Sequence, residues 1–363
     1  MKTIKNVGRA LVDRVASRIE ARLTANSAVD PRTTPATKIG QLQLWHHYRA
    51  QIEAGRAPKL CQAGFRCFSQ FEEDGLILFI MAALDILEGV FLDIGSADGI
   101  NSNCANLALN FGWRGTFIDG NGANVARGRA FYETHPDTWI YPPKFICAMV
   151  ARENINQLLV EAAVPPEIDF MSIDIDGNDY WIWDAISVTV PKVVIIETQI
   201  EFGLNNIVVP YDKDYVYPPA THPEYHGASP IAMERLARRK GYRLVGANRY
   251  GFNTIYVRDG LAPMLPSVSV ESILSHPRNK ERDTLFEPIK DWKYEQTREA
   301  APMASFSFLR LPRAARFCSK KAGGRRCLRA LGFAPRMIDV LDPEVEFVLV
   351  LLQVAAELAT AVG

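Results

Sequence analysis

Residues 89–99, Gly-Val-Phe-Leu-Asp-Ile-Gly-Ser-Ala-Asp-Gly, decide how the rest of the chain is read. Residues 90–92 are apolar and rich in β-branched or aromatic side chains, the composition of a strand buried on both faces. The run breaks into a turn holding Gly95 and Gly99, with acids at Asp93 and Asp98, and residues 101–110 then offer the small and apolar side chains of a helix. A strand, a glycine-rich turn and a helix start gather free backbone N–H groups at one point, and glycine lets a ligand approach the backbone. Taken alone, the stretch also fits an ordinary turn between a strand and a helix.

Residues 115–119, Gly-Thr-Phe-Ile-Asp, form a second short apolar run, ending in an acid 26 positions after Asp93. A strand–helix–strand unit of about 30 residues puts such an acid where it accepts hydrogen bonds from ribose hydroxyls. The first loop is not Gly-x-Gly-x-x-Gly; it reads Asp93-x-Gly95-x-Ala97-x-Gly99. An acid beside the first glycine repels a bare pyrophosphate and suits a ligand with cationic ends. S-adenosylmethionine (SAM), with its ammonium and sulfonium, is such a ligand. The loop resembles motif I of the class I SAM-dependent methyltransferases, and Asp119 resembles their ribose-binding acid.

The alternation continues downstream. Strands are expected at 144–150, 168–174, 193–197, 242–245 and 254–257, and helices at 154–163, 180–186 and 228–241. Upstream, residues 76–86 read as an apolar helix opened by Ser69 or Gln70, and residues 42–53 as another helix. The turn at 246–251 is short enough for a hairpin. The predicted fold is α/β: a Rossmann-like, class I methyltransferase sheet of seven mainly parallel strands, helices on both faces, and an antiparallel last strand. Asp93, Asp119, Asp174, Asp176 and Glu197 all fall at strand carboxyl ends, where open sheets bind ligands. Like charges so close call for a cationic ligand, a divalent metal or hydrogen bonds to offset them.

Five segments carry a closer resemblance: Ser69-Gln-x-x-Glu-Asp-Gly75, Phe91-Leu-Asp-Ile-Gly95, Ile173-Asp-Ile-Asp-Gly-Asn-Asp-Tyr-Trp181, His226-Gly-Ala-Ser229 and Gly241-Tyr-Arg-Leu-Val-Gly246. Together, over residues 65–260, they resemble the FkbM-type SAM-dependent methyltransferases. The resemblance implies O-methylation of a hydroxyl on a sugar, glycan or natural product. It implies a cofactor site from Gln70, Glu73, Asp93, Gly95, Ser96, Ala97, Gly99, Asp119 and Asn121. Asp119-Gly120-Asn121 stands where that family more usually has Glu-Pro-Asn. Displacement at a sulfonium methyl needs a hydroxyl held in line and a base to take its proton. The candidate bases are Asp174, Asp176, Glu197 and His226; the histidine titrates near working pH, or else caps the helix expected from about 228. Residues 211–225, with Tyr215, Tyr217 and Tyr225 among prolines, read as a substrate lid or a surface meander.

Two rival readings stand beside this one. Asp174-Ile-Asp176 also resembles the metal and nucleotide-sugar site of glycosyltransferases, and two such acids suit Mg2+ or another hard cation. The chain is otherwise a methyltransferase-like module that binds a partner without catalysis.

Composition sets the outer bounds. The chain has 363 residues, 48% hydrophobic, with 41 basic and 41 acidic side chains, a balance that gives no sign of nucleic-acid binding. Six cysteines without Cys-x-x-Cys pairs, and no continuous apolar run at the start, lead us to expect a reduced, cytoplasmic protein. The expected organisation is a helical extension and linker over 1–60, a SAM-dependent methyltransferase domain over 61–278, and a tail over 279–363. Within residues 1–23, apolar positions 4, 7, 11, 12, 15 and 19 share one helical face among six Lys or Arg. Such a segment packs on the domain or lies on an anionic membrane surface as a peripheral contact. Residues 24–37 read as a linker. Residues 309–336 carry nine Lys or Arg and no acid, and 345–362 is apolar but interrupted by Glu346 and Glu357, which argues against a membrane span.

Overall fold

The computed structural model of the protein describes residues 30–297. The expectations for 1–23, 309–336 and 345–362 lie outside the described residues.

Seven strands form one sheet: β1 (Val90–Ile94), β2 (Arg114–Asp119), β3 (Lys144–Cys147), β4 (Glu167–Ile173), β5 (Val190–Glu197), β6 (Tyr242–Ala247) and β7 (Asn253–Arg258). Their order is β3-β2-β1-β4-β5-β7-β6. Strands β1 to β5 run parallel, and β7 lies antiparallel between β5 and β6. This is the class I methyltransferase fold. The reversal of order beside β1 opens a crevice at the carboxyl ends of β1, β2 and β4.

Successive residues of each strand face opposite sides, so every strand feeds two cores. Phe91, Phe117, Phe145, Phe170 and Ile195 pack on one face with Trp45 and Tyr48 of α1 (Pro35–Glu53), residues 76–83 of α2 (Glu73–Ala83), most of α3 (Ala105–Phe111), and Tyr132 of α4 (Gly122–Thr134). Leu92, Ile94, Ile118, Met171 and Ile196 pack on the other face. There they meet α5 (Ile155–Glu161), α6 (Asp179–Ala185) and α7 (Pro230–Arg239). Burial on both faces is why these strands read as unbroken apolar runs rather than alternating ones.

Several local expectations need correction. Helix α3 begins at Ala105, four residues late, because 101–104 fold as turns. Helix α4 was not foreseen: it buries only Val125, Gly128 and Tyr132 and so has no apolar run. Gly128 is required there, since a Cβ would lie 2.2 Å from the Asp98 carbonyl oxygen. Helix α1 begins at Pro35 with Thr34 as its cap, so the expected linker ends inside a helix. Glu72 holds the N-cap position of α2, but the Ser69 hydroxyl accepts the first-turn N–H of Asp74 at 3.1 Å, while Gln70 takes no part. In return the Asp74 carboxylate accepts the backbone N–H groups of Cys67, Phe68 and Ser69 at 2.7–2.8 Å, fixing the entering chain.

The chain also stays on the domain past 279. Short α8 (Val270–Ile273) and α9 (Asn279–Phe286) follow the hairpin. Asn279 donates to the Tyr250 carbonyl at 2.9 Å, Ile289 is fully buried, and Glu295 forms a β-bridge with Val208. The regular pattern fades here because short helices and single bridges leave no periodic signature.

Candidate active site

The loop after β1 is folded onto its own neighbours. Gly95 N–H and Ser96 N–H both donate to the Ile118 carbonyl, at 2.8 and 3.2 Å; Gly99 N–H donates to Ser96 at 2.8 Å. Ala97 N–H donates to Asp119 Oδ2 at 2.9 Å. The sequence suggested free N–H groups at this point, but these four are spent inside the protein. Gly95 sits at φ +86°, and a Cβ would come within 1.7 Å of the Asp174 carbonyl oxygen. That contact locks the glycine loop against the end of β4, so the two sequence motifs form one site.

Asp119 is held by both oxygens. Oδ1 accepts the Asn121 N–H at 2.7 Å while Oδ2 takes Ala97. Asn121 itself is committed as the N-cap of α4, accepting from Ala123 and Asn124. Asp93 is 2% exposed and its Oδ2 has no partner. Burial pushes its carboxyl up to about 7, against the pull of hydrogen bonds from Ser102 and Cys104.

Gly95, Ala97, Asp119, Asn121, Asp174 and Asp176 line a cavity of about 580 Å3. That volume suits a nucleoside-sized ligand. The two residues expected from the helix before β1 lie elsewhere. Gln70 is exposed. Glu73 is fully buried, with one oxygen taken by Asn248 and Asn253 at 3.0 Å each and the other by Phe71 N–H at 2.8 Å. Its carboxylate ties α2 to the β6–β7 hairpin.

The floor of the cleft is acidic. Asp174, Asp176 and Glu197 each bring a carboxylate oxygen within 4.8 Å of the others. Strand β4 ends at Ile173, yet Asp176 turns back at φ +57° and keeps its carboxyl with that of Asp174. Asp174 and Glu197 are hemmed in by protein but partly open to the cleft. Burial first, then neighbouring carboxylates, pushes both well above the usual range. Asp179, which the sequence did not single out, is buried beneath them. It accepts Ile175 and Gly177 N–H groups at 2.8 Å and so shapes the turn, and burial raises it to about 6. Its place in Asp-Gly-Asn-Asp was the available signal, since such side chains bond to nearby backbone in turns.

Residues 209–227 form a strap over this floor, closed at its base by the Val208–Ala228 bridge. Tyr215 donates to the Asp176 carbonyl at 2.8 Å, and its ring covers Gly177, where a Cβ would meet it at 2.4 Å. Arg152 stacks on Trp181 and Tyr211, and Asn178 donates to Asp212 O at 2.8 Å. Behind Tyr215 lies a second cavity, about 650 Å3, lined by Tyr211, Tyr225, His226, Pro218 and Lys293 among others. His226 is buried beside Tyr217, and burial pushes it down to about 4. Ser229, not His226, caps α7, accepting Ala232 N–H at 3.1 Å.

No family model and no curated relative matches the chain. Among solved structures it is similar to an O-methyltransferase from Bacillus cereus in complex with S-adenosylhomocysteine (SAH), at 15% identity over 64% of this chain and 94% of that one, TM-score 0.34. The N-terminal domain of EvdMO1 with SAH bound is 12% identical over 59% of this chain and 96% of that one, TM-score 0.35. A SAM-dependent methyltransferase from Aquifex aeolicus is 12% identical over 58% and 96%, TM-score 0.31. Scores this low carry no argument about activity; the strand order is what identifies the fold. Among the described residues no helix is long and apolar enough to cross a membrane.

Proposed function

We propose that this protein is a SAM-dependent methyltransferase of the FkbM type, acting on a hydroxyl of a sugar, glycan or natural product in the cytoplasm. One observation carries the reading. The glycine loop has already spent its N–H groups at 95, 96, 97 and 99, while Asp174 and Asp176 line the same cavity and Glu197, outside its lining, brings a carboxylate oxygen within 4.8 Å of theirs. A pyrophosphate would find those donors occupied, and would face carboxyls where it needs cations. A ligand with a neutral nucleoside at one end and positive charge at the other matches both halves.

SAM fits these residues: Asp119 offers carboxylate lone pairs to a ribose, and Asp174 and Asp176 line the same cavity with carboxyls that suit a cation. When bound, SAM supplies an electrophilic methyl group. This chain's residues then hold the acceptor hydroxyl in line and receive its proton. Burial strengthens a carboxylate as a base and weakens a histidine. Asp174, Asp176 or Glu197 is therefore the favoured base, and His226 lines the acceptor cavity. The glycosyltransferase reading left the glycine loop without a part, whereas Gly95 packs directly on Asp174. The acidic trio also has the composition of a site for Mg2+, so magnesium belongs in the assay as a variable.

Calorimetric titration of the protein with SAM, with and without Mg2+, tests the proposal. We expect binding, and at least tenfold weaker binding in Asp119→Ala. A folded protein that binds no SAM would sink the methyltransferase reading and leave the non-catalytic module.

A further inference from the structure

Residues 290–297 belong to no helix and to no strand of the sheet, yet they grip the strap at two places. At its base, Val208 and Glu295 exchange both backbone N–H groups for carbonyls, at 2.9 Å each. Beside them Asn206 donates to the Thr297 carbonyl at 2.9 Å. On the returning limb, the Tyr225 ring lies against both Trp292 and Tyr294, with centroids 4.8 and 5.4 Å away. The Tyr225 hydroxyl donates to the carbonyl of Lys293, the residue between them, and Lys293 also lines the acceptor cavity.

The two rings that hold Tyr225 differ in what else they touch. Tyr294 also packs on Phe202, fully buried just past β5, and on Phe286 at the end of α9. Covering that end of the domain accounts for it. Trp292 is 39% exposed and belongs to neither core. Its ring contacts are with His222 and Tyr225, both on the strap. Core packing therefore does not explain it. An edge-to-face aromatic pair favours the closed arrangement several-fold beyond the area it buries. Tyr225 is followed directly by His226, which is 9% exposed, lines the acceptor cavity and rests against Tyr217 of the outgoing limb. A ring fixed at 225 thus fixes where the next side chain stands.

We propose that Trp292 is a positioning residue for the acceptor: through Tyr225 it holds His226 in the wall of the acceptor cavity and sets the width of that cavity. The proposal rests on the reading of this cavity as the acceptor site. Neither Trp292 nor the His222 and Tyr225 that it touches lines the cofactor cavity, so its influence falls on the acceptor side. The working enzyme then extends past the sheet to Thr297, and a segment outside the methyltransferase fold selects which hydroxyl compounds fit.

The test is carbethoxylation of the full chain by diethylpyrocarbonate, which attacks neutral imidazole, with each histidine followed by peptide mass spectrometry. His226 is neutral at working pH because burial disfavours its charge, so its rate reports access to the cavity wall. In Trp292→Ala we expect His226 to react at least about fivefold faster, and Trp292→Phe to restore most of the protection. Melting temperature and SAM Kd should stay at wild-type values, because Trp292 is half-exposed and away from the cofactor cavity. His222 touches Trp292 directly, so faster reaction there reports lost cover and nothing more. Acceleration at His222 alone overturns the proposal, as does acceleration of His226 that Trp292→Phe does not reverse. Equal acceleration at His135, beyond the end of α4, also overturns it, since the whole fold has then loosened. The reactivity needs neither SAM nor acceptor, so its failure is distinguishable from failure of the methyltransferase reading, which the SAM titration reports.

Discussion

Replacing Asp93 by Asn should make the ligand-free protein more stable at neutral pH and less stable, or no better, in acid. The Asp93 carboxyl stands at about 7 in the fold against 3.8 in a free chain, chiefly because burial penalises its charge. Below about pH 3.8 it is protonated in both states and contributes nothing. Between 3.8 and 7 the unfolded chain gives up its proton while the fold keeps it, so stability falls as pH rises. Above 7 the full penalty is present, roughly 4 kcal/mol for a rise of this size. The Asn variant never meets that penalty but loses the acceptor for Ser102 and Cys104, which costs about 1 kcal/mol at every pH. Urea unfolding at pH 4.5, 6 and 8 should therefore show the two proteins about equal at pH 4.5 and the variant ahead by about 2 kcal/mol at pH 6. By pH 8 it should be more stable by roughly 3 kcal/mol. Asp174, Asp179 and Glu197 titrate in both proteins, so the difference reports Asp93 and its coupling to Asp174. A variant less stable than wild type at pH 8, or a gap that does not change with pH, would refute the reasoning.

Two further perturbations separate the halves of the cleft. Gly95→Ala forces a Cβ to 1.7 Å from a backbone oxygen at a φ of +86°, and neither β1 nor β4 can yield locally. We expect at least about 3 kcal/mol of destabilisation and loss of SAM binding, read by urea unfolding and calorimetry; wild-type affinity would contradict the packing argument. Tyr215→Phe removes only the bond to Asp176 O, about 1 kcal/mol. It should raise the KM for the acceptor several-fold and leave the SAM Kd unchanged; an equal loss of SAM affinity would mean that the strap does not divide the two cavities.

The sheet was legible because its strands are buried on both faces. Phe91 with Leu92, and Phe117 with Ile118, must both be apolar, so the runs stand out wherever the next residue is Asp or Gly. The tip acids were legible for the same reason, as the first polar residues after each run. Helix α4 was not, because packing on Phe145 and Asp98 is done by Gly128, and small residues leave no hydrophobic signature. Glu73 was misleading in a different way. Its place after Ser69-Gln suggests a ligand contact, but Asn248 and Asn253, some 175 and 180 residues away in sequence, claim its carboxylate. No local pattern encodes a partner that distant. The same limit hid the occupied N–H groups of the glycine loop, whose acceptor Ile118 belongs to the next strand.

The acidic trio decides what sign of charge the cleft can hold. Two carboxylates no more than 4.8 Å apart repel by at least about 3 kcal/mol at an effective dielectric near 20, and less where Asp176 is open to water. Burial and that repulsion explain why Asp174 and Glu197 hold protons so tightly in the ligand-free protein. A cation entering at a similar distance reverses the sign of each interaction, so it lowers those carboxyls toward ionisation as it binds. The group best placed to accept a proton from a substrate hydroxyl thus becomes available only when the positive ligand is present. A diphosphate would act in the opposite direction, driving the carboxyls further toward the protonated form and disabling the base that its own reaction would need. Binding order follows from the same charges: the cationic ligand should enter before the acceptor is activated, whichever of Asp174, Asp176 or Glu197 takes the proton.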